Sequence, residues 1–473
     1  MRVPAIAGWR KGRARRRAAL STEYNLLLTA TLCLLAFGAV MVFSASSTTQ
    51  VLSDGSLANS TFYLKRTIIF GAIGLAIMHV LARHGLQAIR RLTPMLLVVS
   101  FFLLLAVLVA GTTVNGASRW IGPSALQIQP SELAKLTLIL YGAHMLAAKP
   151  KMARSIGGML PYLMVVGLAC ALIVVEPDLG TAMVTTFAVT ATLIAAGARL
   201  RDLLLIAALL GSVILLIILV EPYRRERLIG FLNPGADTAG SGFQALQAKI
   251  ALGSGGLFGT GIGNGVQKAY YLPEAHTDMI AAVIGEEIGL VGITGVAGLF
   301  CLFGYAGFRV AQRAKDSYGK LLAAGLTALI LSQAVINLFA VMGLAPLTGV
   351  PLPFVSYGNS SLLVSLAAVG LILNIARGGR ATAALGRPAA SSSRRSATKR
   401  PAAARTPKKR GRAKPRTAAA GGAGKLRIVD GGRRAPRGRS RSSGAKGAKS
   451  RDSGGRNGRP RRAGHGGRRR ASQ

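Results

Sequence analysis

Four short stretches carry ionisable residues inside or at the edge of apolar sequence, where a charge is costly and therefore points to function. The first runs Asn115-Gly116-Ala117-Ser118-Arg119-Trp120 and continues through Gln129-Pro130-Ser131-Glu132 to Lys135. Pro130 and Ser131 read as a helix start, so Glu132 and Lys135 stand one turn apart on one face. That pair is either an ion pair that fixes helix packing or the wall of a polar cavity whose cation meets an anionic substrate. The second stretch, Glu176-Pro177-Asp178-Leu179-Gly180, is a tight turn in which Asp178 is placed to cap the next helix. The third follows Lys268: Tyr271-Leu272-Pro273-Glu274-Ala275-His276-Thr277-Asp278 leads straight into an apolar segment holding Glu286 and Glu287. Asp278 either caps that segment or presents a carboxylate for chemistry. The fourth, Pro351-Leu352-Pro353-Phe354-Val355-Ser356-Tyr357-Gly358-Asn359-Ser360-Ser361, is a proline-broken helix entry, tolerated at membrane depth where it lines protein or a cavity. Carboxylates and cations in such company suit transfer chemistry: a base takes a proton from a hydroxyl, and cations steady a departing anion.

The chain that must position these residues is 473 long and 51% hydrophobic, yet its formal charge is +43. The two properties belong to different segments. Apolar runs long enough to cross a ~30 Å hydrocarbon layer recur at 24–44, 65–82, 94–111, 131–147, 156–175, 180–197, 203–220, 279–308, 319–344 and 357–376. In a bilayer such runs satisfy their backbone groups as helices. The expected fold is therefore an all-α polytopic membrane protein of about ten transmembrane helices, with a large extracytoplasmic loop, 221–278, between the seventh and eighth. The long first run, with others after it, reads as a retained span and not as a cleaved leader. Cys33, Cys170 and Cys301 are widely spaced within apolar runs, which argues for small apolar packing and against a disulfide framework or thiolate metal cluster.

Basic residues set the orientation. Arg10 to Arg17 precede the first run; Arg83, Arg90 and Arg91 follow the second; Lys149, Lys151 and Arg154 follow the fourth; Arg199 and Arg201 follow the sixth; Arg309, Arg313, Lys315 and Lys320 follow the eighth. By the positive-inside rule these loops and both termini are cytoplasmic. All four polar stretches then emerge at the outer side, which packing alone explains poorly and a substrate at the outer membrane boundary explains well. The glycines at 253–265 could imitate a nucleotide loop, but no Lys-Ser/Thr pair closes one, so ATP binding is rejected. Tight turns, close backbone approach or a flexible lid are the readings left for them.

Three regions follow: a basic cytoplasmic segment at 1–23, the membrane domain at 24–377, and a tail at 378–473. The tail holds 30 Lys or Arg residues against Asp430 and Asp452, hence 28 of the 43 net charges, and no Phe, Trp or Tyr. That composition predicts disorder. Its charges suit anionic membrane lipid, each gaining about 1 kcal/mol near the surface. Without aromatic residues for base stacking, no specific nucleic-acid binding is expected.

The ordered motifs resemble those of the SEDS family (shape, elongation, division and sporulation; FtsW- and RodA-like proteins). The match is carried by Val40-Met41-Val42-Phe43-Ser44-Ala45-Ser46-Ser47, the Asn115 to Trp120 and Gln129 to Lys135 segments, Glu176 to Gly180, Tyr271 to Gly289, and Pro351 to Ser361. Met279 stands where the family commonly has Phe, and Asn359 where it has Gly. The Ser-Ala-Ser-Ser end of the first run and the basic tail place the chain nearer the division branch than the elongation branch. The resemblance implies a peptidoglycan glycosyltransferase that polymerises lipid II, in the cell inner membrane at the division septum. It also implies a class B penicillin-binding protein and other division proteins as partners. Asp278 matches the catalytic aspartate; Arg119, Trp120, Glu132, Lys135, Asp178, Lys268, His276, Thr277 and Ser356 fall in substrate-binding motifs. Arg119, Lys135 and Lys268 are candidates to stabilise the leaving diphosphate. A carboxylate beside a diphosphate repels it by about 4 kcal/mol at ~4 Å and an effective dielectric constant of ~20. A divalent cation, magnesium or manganese, held by Asp278 would relieve that, leaving Asp278 as base, metal ligand or both. A flippase or transporter of the same lipid, or a non-catalytic scaffold, are the rival classes.

Overall fold

A computed structural model of the protein describes residues 5–54, 61–114, 117–123, 127–220, 222–232 and 241–378. Asn115, Gly116 and all but the first residue of the basic tail lie outside the described residues. In chain order the elements are α1 (Ala5–Asp54), α2 (Phe62–Ala110), β1 (Thr112–Val114), β2 (Ala117–Trp120), α3 (Pro130–Ala148), α4 (Ile156–Val175), α5 (Leu179–Ala195) and α6 (Leu200–Val220). They continue as α7 (Pro222–Leu232), α8 (Ser241–Ser254), α9 (Gln267–Tyr270), α10 (Ile280–Glu287), α11 (Gly289–Arg313), α12 (Ser317–Val341) and α13 (Asn359–Ala376). Seven stretches, within α1, α2, α4, α6, α11, α12 and α13, are long and apolar enough to cross a membrane, and α5 is a shorter apolar helix. The protein is a mostly helical polytopic membrane protein.

Hydroxyls buried in these helices turn inward to the backbone, as an apolar surround requires. Thr31, Thr93, Ser100, Thr185, Thr192 and Thr327 each donate to the carbonyl four residues earlier at 2.7–2.9 Å. The bundle centres on α12 and α13: α13 packs along α2, and α12 against α3, α5 and α11. By contrast, α6 buries little beyond Asp202 and Leu203.

Basic residues gather at one end of the bundle. Glu23 there pairs with Arg313 and, at 3.8 Å, with Arg309; Arg377 bonds the Tyr24 hydroxyl at 2.7 Å; and Arg90 lies 5.1 Å from the Tyr318 ring. From this end α1 rises 21 residues to Ser44, about 32 Å.

Two of the expected spans take a different form. The second and third runs join in one helical stretch, α2, in place of the loop expected at 83–93. Its first half runs parallel to α13, since Tyr63 meets Tyr357, Gly74 meets Leu366, and Asn374 donates to the Leu81 carbonyl at 2.9 Å. Its second half runs against α3, where Ser100 and Thr137 share a 3.0 Å hydrogen bond. A straight helix of 49 residues would span about 74 Å. Because both ends of α2 meet the same end of the bundle, the stretch folds back between its halves.

The eighth run, expected to be continuous, breaks into α10 and α11. Gly289 makes the break with φ +71°, and a Cβ there would sit 2.5 Å from the Gly259 nitrogen. The glycine-rich loop seals the freed backbone: Thr260 and Gly261 donate to the Glu286 and Glu287 carbonyls at 2.9 and 3.0 Å. In return, Leu290 and Val291 donate to the Gly256 and Leu257 carbonyls at 3.0 and 3.2 Å. Close backbone approach is thus what Gly255 and Gly259 supply, whereas a Cβ on Gly253, Gly256 or Gly263 would meet open space. The surrounding 221–278 segment is not mere loop, for it contains α7, α8 and α9. The cysteines also differ from expectation: Cys33 and Cys301 are exposed and Cys170 half-buried, so they line the outside of the bundle more than its core.

Candidate active site

At the end of the bundle opposite the basic residues, the four polar stretches meet. Asp178 is the N-cap of α5, as its place before Leu179 predicts: Oδ1 accepts the Thr181 N–H at 3.0 Å. Its Oδ2 accepts Gln129 Nε2 at 3.1 Å and the Ser131 hydroxyl at 3.5 Å, which draws the first stretch onto the second. Arg119, on β2, reaches the same turn, donating to the Glu176 carbonyl at 3.1 Å and to the Pro177 carbonyl. These partners are neutral, and among the described residues Arg119 forms no ion pair. Trp120, the next residue, is half-buried and pairs with Thr112 across the small hairpin.

Glu176 lies beneath Arg119 with its carboxyl 1% exposed and both oxygens without a hydrogen-bond partner. Burial, reinforced by Asp178 and opposed by Arg119, pushes it up to about 8, so it is largely protonated at neutral pH.

The fourth stretch ties to both neighbours. The Gln129 N–H donates to the Ser360 hydroxyl at 3.1 Å, and the Tyr357 N–H donates to the His276 carbonyl at 2.9 Å. Gly180 allows the second stretch to touch it, since a Cβ there would lie 2.6 Å from the Thr348 carbonyl oxygen. Ser356 closes a turn, its hydroxyl accepting the Leu352 N–H at 2.8 Å. Phe354 within that turn and Glu274 in the third stretch hold φ of +65° and +55°, strained values for residues with a side chain.

Asp278 sits where these segments close. Met279, not Asp278, is the N-cap residue of α10, and Met279 makes no side-chain cap hydrogen bond. Its Oδ1 accepts the Thr277 hydroxyl at 3.2 Å, a hydroxyl that also faces Glu274 Oε2 at 2.9 Å. The other oxygen, Oδ2, lies 4.0 Å from where a Gly349 Cβ would be. The His276 ring stacks at 4.3 Å from Tyr63 and 5.6 Å from Tyr357. Burial lowers the His276 imidazole below its usual range, only partly countered by Glu274, which favours the neutral ring.

The remaining cations are committed elsewhere. Lys135 pairs with Glu132 at 2.8 Å, both buried, as their one-turn spacing foretells. Lys268 is buried against Glu287 at 2.5 Å and also donates to the Ser44 carbonyl and hydroxyl at 2.9 and 3.0 Å. That triad fastens the long loop to α1 at Ser44. Of the three cations nominated for an anionic group, Arg119 alone keeps neutral partners and partial exposure. Tyr63, Gly349 and Asn337 are not singled out by their sequence context; the signal available for Asn337 is a pair of amides, Gln333 and Asn337, one turn apart in an apolar run.

The chain is similar to several known proteins. A family model for FtsW, RodA and SpoVE, described as cell cycle protein, matches residues 24–381. A relative in Trichlorobacter lovleyi, described as a probable peptidoglycan glycosyltransferase FtsW, is 41% identical over 75% of this chain and 94% of its own. Stage V sporulation protein E of Bacillus subtilis is 41% identical over 74% of this chain and 96% of its own. Among solved structures, a chain of a peptidoglycan synthase complex described as coordinating polymerization and crosslinking aligns with TM-score 0.61 and 30% identity. It covers 74% of this chain and 96% of that one. The rod shape determining protein RodA of Thermus thermophilus aligns with TM-score 0.55 and 29% identity, over 74% of this chain and 95% of its own.

Proposed function

The chain belongs to the FtsW, RodA and SpoVE family of cell cycle proteins, and from that premise we propose that it is a peptidoglycan glycosyltransferase polymerising lipid II during cell division. The observation that carries the reading is that Asp278 and the turn held by Arg119 flank one short segment at one end of the bundle, Gly180 of that turn lying against Thr348 and Asp278 Oδ2 beside Gly349. The division assignment follows the FtsW-named relatives.

Joining two lipid II units makes a bond between a sugar 4-hydroxyl and C1 of the other unit, and breaks the bond from that C1 to undecaprenyl diphosphate. Asp278 takes the proton from the attacking hydroxyl, and attack opposite the α-linked diphosphate inverts the centre to β. Arg119 receives the developing charge on the departing diphosphate. The rings of Tyr63, His276 and Tyr357, with Trp120, offer the apolar and polar edges a sugar needs beside that centre. Glu132, Lys135, Asp178, Lys268, Thr277 and Ser356 act as the hydrogen-bonded frame that holds these groups in place.

The residues present fit a divalent cation shared with substrate. Glu274 and Asp278 face one hydroxyl, while no trio of His, Cys, Asp or Glu fit to hold a metal occurs among the described residues. Glu274 and Asp278 are the residues that would hold the cation, two carboxylates being the hard oxygen donors that magnesium prefers. When bound, it would offset the repulsion between Asp278 and the diphosphate.

We read ten crossings: α1, the two halves of α2, α3, α4, α5, α6, α11, α12 and α13. Both termini then share the basic, cytoplasmic side, the site faces outward at the septum, and α7 to α10 form the large outer segment. A class B penicillin-binding protein, which cross-links the strands, is the proposed partner. The test is Asp278→Asn in proteoliposomes supplied with labelled lipid II: glycan chains disappear while the variant unfolds at the wild-type temperature. Wild-type chain yield from that variant removes Asp278 from the reaction.

A further inference from the structure

We infer that Asn337 is the positioning residue of this site, holding Asp278 and the segment that faces it through two hydrogen bonds from one amide. The inference rests on the reading of Asp278 as the catalytic carboxylate. Asn337 lies on α12, 2% exposed, and its Nδ2 donates at 2.8 Å to the Asp278 carbonyl and at 2.8 Å to the Val350 carbonyl. Two carbonyl oxygens around one atom identify that atom as nitrogen, since the amide oxygen would face two acceptors and no donor. The amide's own oxygen is buried without a hydrogen-bond partner. Asn337 is therefore present for its two N–H groups.

What those groups join matters. One carbonyl belongs to the candidate base, and the other to the residue after Gly349, where a Cβ would lie 4.0 Å from Asp278 Oδ2. The first carbonyl to take up the α10 ladder is that of Met279, which accepts from Ala282 and Val283 at 2.9 and 3.4 Å, while the Asp278 carbonyl before it accepts from Asn337 on α12. The chain just before the helix is thus anchored from outside it. The anchor is firm: α12 is 25 residues long and packs against α3, α5 and α11. Glu274, at φ +55°, shows that the approach to Asp278 is held in a backbone shape it would not choose freely. A base that must meet a hydroxyl at hydrogen-bond range loses rate steeply when shifted by as little as 1 Å.

The experiment uses the full chain, reconstituted and assayed with lipid II, and separates kcat from KM. Asn337→Leu keeps the volume and removes both donors; Asn337→Gln keeps the amide one methylene out of place. The expected result for Asn337→Leu is a kcat lower by about 100-fold, a KM within about twofold of wild type, and the usual rise in unfolding temperature on adding lipid II. Asn337→Gln should fall between it and wild type. Should Asn337→Leu not fold, the Gln variant decides: a folded protein with kcat down tenfold or more upholds the role, and wild-type kcat overturns it. An Asn337→Leu enzyme with wild-type kcat, or one whose loss lies in KM, also overturns it. Asp278→Asn assayed beside them distinguishes the two claims. If it is active, the reading of Asp278 fails by itself; if it is dead while Asn337→Leu is fully active, only the positioning role fails.

Discussion

At the scale of single residues, the site is sorted by which charges are already satisfied. Lys135 and Lys268 are both candidates in the sequence to meet a diphosphate, yet each is buried on a carboxylate, whereas Arg119 spends its hydrogen bonds on two neutral carbonyls. A buried ion pair has little field to lend a substrate, and an unpaired guanidinium keeps its own. Glu176 is the mirror case, a buried carboxyl with no partner. With its folded value near 8 and an ordinary value of 4.5, the folded state keeps a proton that the unfolded state releases. Stability from this group is full below about 4.5, declines as pH rises toward 8, and is level above that. Glu176→Gln should remove that decline. Thermal unfolding from pH 5 to 8.5 would show the wild-type midpoint falling relative to the variant's; parallel curves would mean that Glu176 ionises freely in the fold.

At the scale of elements, the decisive features are the interruptions. Gly289 divides α10 from α11, and the glycine-rich loop repairs the exposed backbone with four hydrogen bonds. The division makes α10, which follows Asp278, a separate short helix from the long α11. Gly289→Ala combines a positive φ with contact against backbone atoms at 2.5 and 2.6 Å that no rotamer change relieves. It should cost at least about 2 kcal/mol of stability. Gly263→Ala, at φ +92° with open space around it, should cost roughly 1 kcal/mol from strain alone. Denaturant or thermal unfolding of the two variants, compared with wild type, tests the difference; equal losses would show that the backbone contact at Gly289 is not limiting.

At the scale of the whole molecule, chemistry and charge sit at opposite ends. Arg377, directly after α13, bonds Tyr24 among the basic residues, while Asp278 and Arg119 lie at the far end of the bundle. The family match stops at residue 381, so most of the basic tail lies beyond what the relatives share. A chain ending at residue 381 should polymerise lipid II at the wild-type rate within about twofold in neutral-lipid vesicles, where membrane charge has no part. A tenfold loss of glycan yield would assign the tail a direct part in the reaction.

Much of this was legible before any coordinates. Membrane-length apolar runs announce helices, because only a helix satisfies its backbone inside hydrocarbon without help from a neighbour. The Glu132–Lys135 pair and the Asp178 cap were equally readable, since both are settled within one helical turn. What the sequence left open were contacts between distant segments. The fold-back of α2, the break at Gly289, the burial of Lys268 on Ser44 and Glu287, and the reach of Asn337 to Asp278 each join residues well apart along the chain. Local spacing encodes whether a helix forms and what caps it. Which charge is spent and which remains free depends on what packs against it, and only the tertiary structure brings those partners together.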